Sequence, residues 1–316
     1  MIVDLFAGPG GWDEGLRVAG ARDLIYGLEN DRYACDTAIA AGHQRIQVDV
    51  EGVDSWRYLQ IRGLVASPPC QAFSQGGHGE GYKEKARRVM LDHIYECRSG
   101  WVEPTGILCE ADIRADLTLQ PLKWTLKARP RWVAFEQVPV VATHWYAMCE
   151  VLAGAGYDAQ SRVMSFADFG LPQLRERAIL LASRTQEVAW PEPTHQDLRH
   201  HDSLFDDGLA PWVSIGEALG VSGDHPTLQR PSATVTGGGG KDNGTGIFLD
   251  KDFRYKLRDA LDRPTGGLLS PSEAGVLQGF RPDYPWHGPL GDQYMQIGNA
   301  MPPTMAALLL EQFLGT

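Results

Sequence analysis

Apolar and polar positions along the chain sort into short hydrophobic runs separated by stretches of helical spacing. Residues 2–6 form a strand-like run that enters Ala7-Gly8-Pro9-Gly10-Gly11, and Trp12, Leu16 and Ala19 then predict a helix over 12–19. Residues 25–29 and 46–49 predict two further strands, each ending in an acid, with a helix over 33–41 between them. Leu64-Val65-Ala66 predicts a buried strand that runs into Ser67-Pro68-Pro69-Cys70. Two prolines without N–H donors stop the ladder there. Residues 83–100 read as helical, 107–111 as ambiguous, and 117–128 as an amphipathic helix. Trp132-Val133-Ala134-Phe135 predicts a buried strand ending in Glu136-Gln137-Val138-Pro139. A helix over 145–154, a strand over 159–164 and a stretch over 173–182 that turns from alternating polarity into a buried strand follow. Strands alternating with helices predict an α/β fold with a doubly wound, mostly parallel sheet.

Periodicity fades from 183 to 267, where Pro, His, Asp and Gly rise, which predicts a small irregular second domain. Ser270-Pro271-Ser272-Glu273 carries an N-cap, a proline at the first helical position and a capping-box acid. An apolar helix over 304–314 closes the chain. The expected organisation is therefore a first domain over 1–182, a small second domain over 183–267 carrying specificity, and a segment over 268–316 that returns to the first domain.

Composition adds little to this and excludes some classes. At 43% apolar and 22% charged the 316 residues are ordinary for a globular protein. No apolar run reaches the ~20 residues that span a bilayer, and the N-terminal stretch lacks the basic region of a signal peptide, so a cytoplasmic location is expected. Five widely spaced cysteines without a C-x-x-C pair indicate neither a disulfide framework nor a redox motif. His93, Cys97 and Cys109 lack the paired spacing of a zinc site, and no metal is expected. A net charge of −11 does not exclude a nucleic-acid partner, because binding depends on a local basic face.

The candidate chemistry lies at predicted strand ends, where open α/β sheets hold ligands. Cys70, with Gln71 and Ser74 beside it, reads as a nucleophile or as a buried small hydrophobe. The glycine loop is followed in order by Glu29 and Asp49. Carboxylates accept from ribose hydroxyls and an adenine amino group, so the set suits an adenosine ligand without a phosphate chain, such as S-adenosylmethionine. The alternative is that both acids cap helices. Gln75-Gly76-Gly77-His78-Gly79-Glu80-Gly81 reads as a mobile lid. Alternation puts Gln173, Arg175 and Arg177 on one face, where guanidiniums can bind phosphate or a base carbonyl.

Taken together, these stretches resemble the DNA (cytosine-5)-methyltransferase family, in order along nearly the whole chain. Asp4-Leu5-Phe6-Ala7-Gly8-Pro9-Gly10-Gly11 resembles its cofactor motif and Pro69-Cys70-Gln71 its nucleophile loop. Asp112-Ile113-Arg114 with Leu117, Gln173-x-Arg175-x-Arg177, Arg230-Pro231-Ser232-Ala233-Thr234, Gln278-Gly279-Phe280 and Gln296-Ile297-Gly298-Asn299 resemble its later motifs. The resemblance implies a Rossmann-like, S-adenosylmethionine-dependent methyltransferase fold and methylation of cytosine C5 in duplex DNA. It implies that Cys70 adds to C6 of a flipped-out base, with Glu136 at N3 and Arg177 at O2. It implies a cofactor pocket of Phe6, Ala7, Gly8, Pro9 and Gly11, then Glu29, Asn30, Asp49 and Val50, then Pro69, Leu117, Asn299 and Ala300. Gln71, Ser74, Gln173, Arg175 and Thr234 are implied at the substrate. The implied partners are double-stranded DNA and a cognate restriction endonuclease, in a restriction-modification or anti-restriction setting. A monomer, with no membrane and no metal, is expected.

Two departures stand out. Gln137 occupies the position where the family has Asn after the acid, and the stretch between Ala182 and Arg230 is short for a recognition region. The same chemistry on tRNA, transfer of another group, and a non-catalytic nucleic-acid-binding protein are the alternatives. Cys70, Glu136 and Arg177 together argue against the last, since a binding module needs no such set.

Overall fold

The computed structural model describes residues 1–54, 60–69, 84–109, 113–198, 208–237, 251–262 and 269–315. Its centre is a seven-stranded sheet of β1 (Ile2–Leu5), β2 (Ile25–Glu29), β3 (Gln44–Gln47), β4 (Gly63–Ala66), β5 (Trp132–Gln137), β6 (Asp158–Ser165) and β7 (Glu176–Ser183). The spatial order is β3-β2-β1-β4-β5-β7-β6. Neighbours from β3 to β5 run parallel, whereas β7 is antiparallel to both β5 and β6. A two-stranded pair, β8 (His195–Gln196) and β9 (Ala210–Pro211), lies outside the sheet.

The helices of the first part are α1 (Gly11–Val18), α2 (Arg32–Ala40), α3 (Glu84–Glu96), α4 (Gln120–Ala128) and α5 (Ala142–Gly154). They are followed by α6 (Ile215–Leu219), α7 (Lys251–Ala260), α8 (Pro271–Leu277), α9 (Leu290–Asn299) and α10 (Pro303–Leu314). Among the described residues no helix is long and apolar enough to cross a membrane.

The pleat divides the core in two. Val3, Leu64, Val133, Phe135 and Leu180 face Trp124 of α4 and Trp145 and Met148 of α5. Ile2, Val65, Trp132, Ala134 and Ile179 face Trp12 of α1 and Leu309 and Phe313 of α10. The Trp132 and Phe313 rings stack at 5.1 Å, so the last helix is a structural layer of the sheet. A third cluster joins Ile215, Leu228, Phe253 and Leu257 to Leu277, Tyr294 and Ile297. Within the C-terminal segment, α8 and α9 thus share the smaller core, and α10 belongs to the sheet.

Several boundaries differ from expectation for physical reasons. β3 starts at Gln44 and ends before Asp49, because its Arg45 is buried by an ion pair that apolar patterning does not detect. Residues 113–119 form a 3-10 helix before α4. β5 continues through Glu136 and Gln137, so the acid lies within the strand, past the final β4–β5 pair of Ala66 and Phe135. The box at Ser270 forms as expected, with Ser270 and Glu273 bonded reciprocally.

Helices α1 and α10 meet at Gly15, where a Cβ would lie 2.4 Å from Ala306 Cβ and 2.7 Å from the Pro303 carbonyl. Gly15→Ala is therefore expected to cost about 1–3 kcal/mol by forcing the helices apart. Gly154→Ala in α5, where a Cβ would have nothing within 4 Å, should be neutral or stabilising. Thermal unfolding of the two variants checks this, and equal melting temperatures would contradict the close crossing.

Candidate active site

The carboxyl ends of β1, β2, β4 and β5 open onto one cavity of about 380 Å³, within the range of about 300–1,000 Å³ usual for small-molecule sites. One end is built by the loop after β1. Phe6 adopts φ +57° and Gly8 φ +52°, a left-handed turn that a non-glycine residue enters at a cost. Gly10, at φ +109°, is the N-cap of α1. Gly11 has no room for a side chain, since a Cβ would lie 2.1 Å from the Met301 carbonyl. Gly8 has nothing within 4 Å of its missing Cβ.

Glu29 closes this end. Its Oε2 accepts from the Gly8 amide at 2.8 Å, and its Oε1 from Asn30 and Asp31 at 2.9 and 2.8 Å. An ionised carboxylate offers about four lone-pair sites, so capacity remains for a ligand hydroxyl. The N-cap of α2 is Asp31, not Glu29. Asp49 lies beyond the end of β3 and caps a one-turn 3-10 helix through Oδ1, accepting from Glu51 at 3.0 Å. It lines the cavity at the same time. Capping and ligand binding are therefore compatible for this residue. A wall bearing Glu29, Asp31 and Asp49 suits hydroxyl and amine donors or a cation better than a phosphate. S-adenosylmethionine fits that donor set.

The other end is built by β5 and β7. Glu136 is 4% exposed. Arg177 Nε lies 2.8 Å from Glu136 Oε1, and Arg175 Nη2 lies 3.9 Å from the same oxygen. The antiparallel register, which pairs Glu136 with Ile179, brings the start of β7 beside the acid. Between the two ends run Pro68 and Pro69. Gln137 Nε2 donates to the Pro68 carbonyl at 2.6 Å, and Gln137 Oε1 accepts from the Val138 amide at 2.6 Å. The extra methylene relative to Asn is thus used to reach the chain that leads into Cys70. The Trp12 indole holds the Ser67 hydroxyl at 3.0 Å.

Of the expected cofactor residues, Phe6, Ala7, Gly8, Pro9, Gly11, Glu29, Asn30, Asp49, Val50, Pro69, Leu117, Asn299 and Ala300 all line this cavity. Glu136, Arg175 and Arg177 line it as well. Cys70, Gln71, Ser74, the 75–81 lid and Asp112 lie outside the described residues. Gln173 and Thr234 are not in the wall. Gln173 is fully buried and bridges Gln278 and the Leu277 carbonyl, while Thr234 donates to the Leu174 carbonyl. Arg175 is 1% exposed and donates to the Gly298 and Ala300 carbonyls. It braces the wall and does not reach outward to a nucleic-acid backbone. Asp31, Asp292 and Met295 line the cavity without having been expected; Asp31 carried an N-cap signal, and the other two carried none. Among the described residues no group of three or more His, Cys, Asp or Glu is placed to hold a metal ion. His93 faces Glu96 at 3.3 Å and the edge of Trp101.

Residues 1–96 and 108–217 match the family model described as C-5 cytosine-specific DNA methylase. The type II methyltransferase M1.HphI of Haemophilus parahaemolyticus is 27% identical, over 99% of this chain and 86% of its own. The type II methyltransferase M.HgiDI of Herpetosiphon aurantiacus is 26% identical, over 97% of this chain and 92% of its own. The S. pombe Dnmt2 methyltransferase has the same fold, with a TM-score of 0.65 at 15% identity, covering 99% of this chain and 98% of that one.

Gln137→Ala removes the donor to the Pro68 carbonyl and leaves a buried acceptor unpaired. A loss of about 1–3 kcal/mol in unfolding free energy is expected. Urea denaturation measures it, and an unchanged midpoint with an unchanged slope would count against the bond.

Proposed function

The chain belongs to the C-5 cytosine-specific DNA methylase family, and from that premise we propose that it transfers a methyl group from S-adenosylmethionine to C5 of cytosine in duplex DNA. The observation that carries the reading is the single cavity joining the glycine loop, Glu29 and Asp49 to the Glu136–Arg177 pair, with Pro69, the residue before Cys70, in its wall. A binding module has no use for a buried carboxylate pinned between two guanidiniums at the far end of an adenosine-type pocket.

Cytosine C5 is a weak nucleophile, so the ring must first be activated. The Cys70 thiolate adds to C6, which turns C5 into an enamine carbon. Glu136 donates a proton or hydrogen bond at N3 and Arg177 donates to O2, where electron density collects as the C–S bond forms. S-adenosylmethionine, which the glycine loop, Glu29 and Asp49 would hold, would supply the sulfonium methyl taken up by C5, with S-adenosylhomocysteine as the leaving group. Loss of the C5 proton then restores the C5–C6 double bond and expels Cys70. The base enters the pocket only when flipped out of the duplex. Gln137 holds the chain entering Cys70 against β5.

Residues 183–267 carry target recognition and 1–182 catalysis in this reading, and the protein works as a cytoplasmic monomer. A short fixed target sequence and a cognate endonuclease as partner complete this reading.

The test is incubation with labelled S-adenosylmethionine and either duplex DNA or tRNA, followed by mapping of 5-methylcytosine. Label within a short DNA motif is expected. Label on tRNA alone would move the substrate to RNA, and no label with cofactor bound would refute the enzymatic reading. Cys70→Ala should abolish turnover while cofactor binding persists. Glu136→Gln should lower the single-turnover rate by about 10²–10⁴-fold; an unaltered rate would mean that the acid is misassigned.

A further inference from the structure

Arg45 on β3 is a guanidinium sealed beneath the glycine loop, with a side chain 0% exposed. It crosses under β2 at Gly27, where a Cβ would lie 2.1 Å from Arg45 Nη1. A guanidinium has five N–H donors in a planar fork, and each is occupied. Nε donates to the Gly8 carbonyl at 3.3 Å, and Nη2 to the Ala7 carbonyl at 3.2 Å and Asp13 Oδ2 at 2.8 Å. Nη1 donates to Asp13 Oδ1 at 3.2 Å and to the Gln44 carbonyl at 3.0 Å.

Two consecutive carbonyls of the loop therefore point at one side chain, while the Gly8 amide points at Glu29. The segment they fix is the one with Phe6 and Gly8 in left-handed conformations. Such a conformation persists only where its surroundings over-determine it. Charge balance alone does not need this geometry. Burial and the neighbouring Asp13 carboxylate hold the Asp4 carboxyl well above its usual range. Burial also works against ionised Asp13, but the Arg45 charge and hydrogen bonds outweigh it. One cation in any shape would neutralise that pair.

We propose that Arg45 is a positioning residue for cofactor binding, holding the Ala7 and Gly8 carbonyls so that the loop is already in its ligand-receiving conformation. This rests on the reading of the cavity as an S-adenosylmethionine site. Lysine supplies the charge but not the fork, so Arg45→Lys separates neutralisation from positioning. Where that variant fails to fold, Arg45→Gln combined with Asp13→Asn removes the fork and keeps the site neutral.

The measurement is calorimetric binding of S-adenosylhomocysteine to the full chain, with ligand-free melting curves and steady-state kinetics beside it. Wild type binds, and Arg45→Lys is expected to bind at least about tenfold more weakly, with KM for S-adenosylmethionine raised in step. Its kcat and its KM for DNA should stay within about twofold of wild type. Unchanged affinity in a folded variant would overturn the role of Arg45, as would a uniform loss across kcat and both KM values. Wild type that binds neither cofactor nor product would instead sink the reading of the cavity, and this inference with it.

Discussion

The backbone from Gly298 to Met301 is the constraint on which the rest of the site depends. Parts of the chain remote in sequence close on it so tightly that side chains are excluded. A Cβ at Gly11 would strike the Met301 carbonyl at 2.1 Å, and one at Gly298 would lie 2.4 Å from Gly237 N and Thr236 C. Carbonyls of the same segment are taken up by buried donors. Arg175 Nη2 reaches those of Gly298 and Ala300, and Gln278 Nε2 reaches Ala300 at 2.7 Å. Gln278 in turn accepts from Gln173, whose Oε1 accepts from the Val235 amide. A buried network of this kind resists rearrangement, because each lost member strands a polar partner in a low-dielectric interior. The motif residues near the end of the chain thereby bind the first loop, the start of β7 and the segment before Gly237 into one wall.

Among the described residues four carboxylates are buried around this wall, Asp4, Asp13, Glu14 and Glu136, and each is answered differently. Asp13 has the Arg45 fork. Glu14 is held down to about 2 because hydrogen bonds from His43 and Arg17 outweigh the burial that would raise it. Both also sit in the first turn of α1, where exposed amides favour negative charge. Glu136 has Arg177. Asp4 has no cation to itself, and burial and the Asp13 charge push its carboxyl well above the usual range. An unpaired buried charge costs several kcal/mol, so Asp13 and Glu14 keep their charge through the cations beside them. Of the four, Glu136 is the one in the cavity wall.

The sheet was legible in the sequence because its central strands are buried on both faces and read as plain apolar runs, as in Leu64-Val65-Ala66 and Trp132-Val133-Ala134-Phe135. The glycine loop and both following acids were legible because their spacing repeats the strand–loop rhythm. What escaped depends on three-dimensional partners. Arg45 looked like the polar end of a loop because Asp13 and the Ala7 and Gly8 carbonyls are distant in sequence. Gln173 shared the parity of Arg175 and Arg177 yet precedes β7 and pairs with Ser232, so it turns inward to Gln278. Gln137 was visible as a departure from the family, but its reach to Pro68 needed the parallel neighbour strand to be placed.

The two ends of the cavity differ in charge, and this difference suits the proposed chemistry. Glu29, Asp31 and Asp49 face one end and Arg175 and Arg177 the other. On the proposed reading a cationic methyl donor sits among carboxylates, and a ring that gathers electron density sits beside guanidiniums. Fixed charges of this kind need no reorganisation as the reaction proceeds. The guanidinium end is placed by sheet register, since Arg177 lies in β7 beside Glu136, which lies within β5 and is paired with Ile179. Gln137, the next residue along, carries that rigidity across to Pro68. The acid and the chain up to Pro69 are thus held to one another by the sheet.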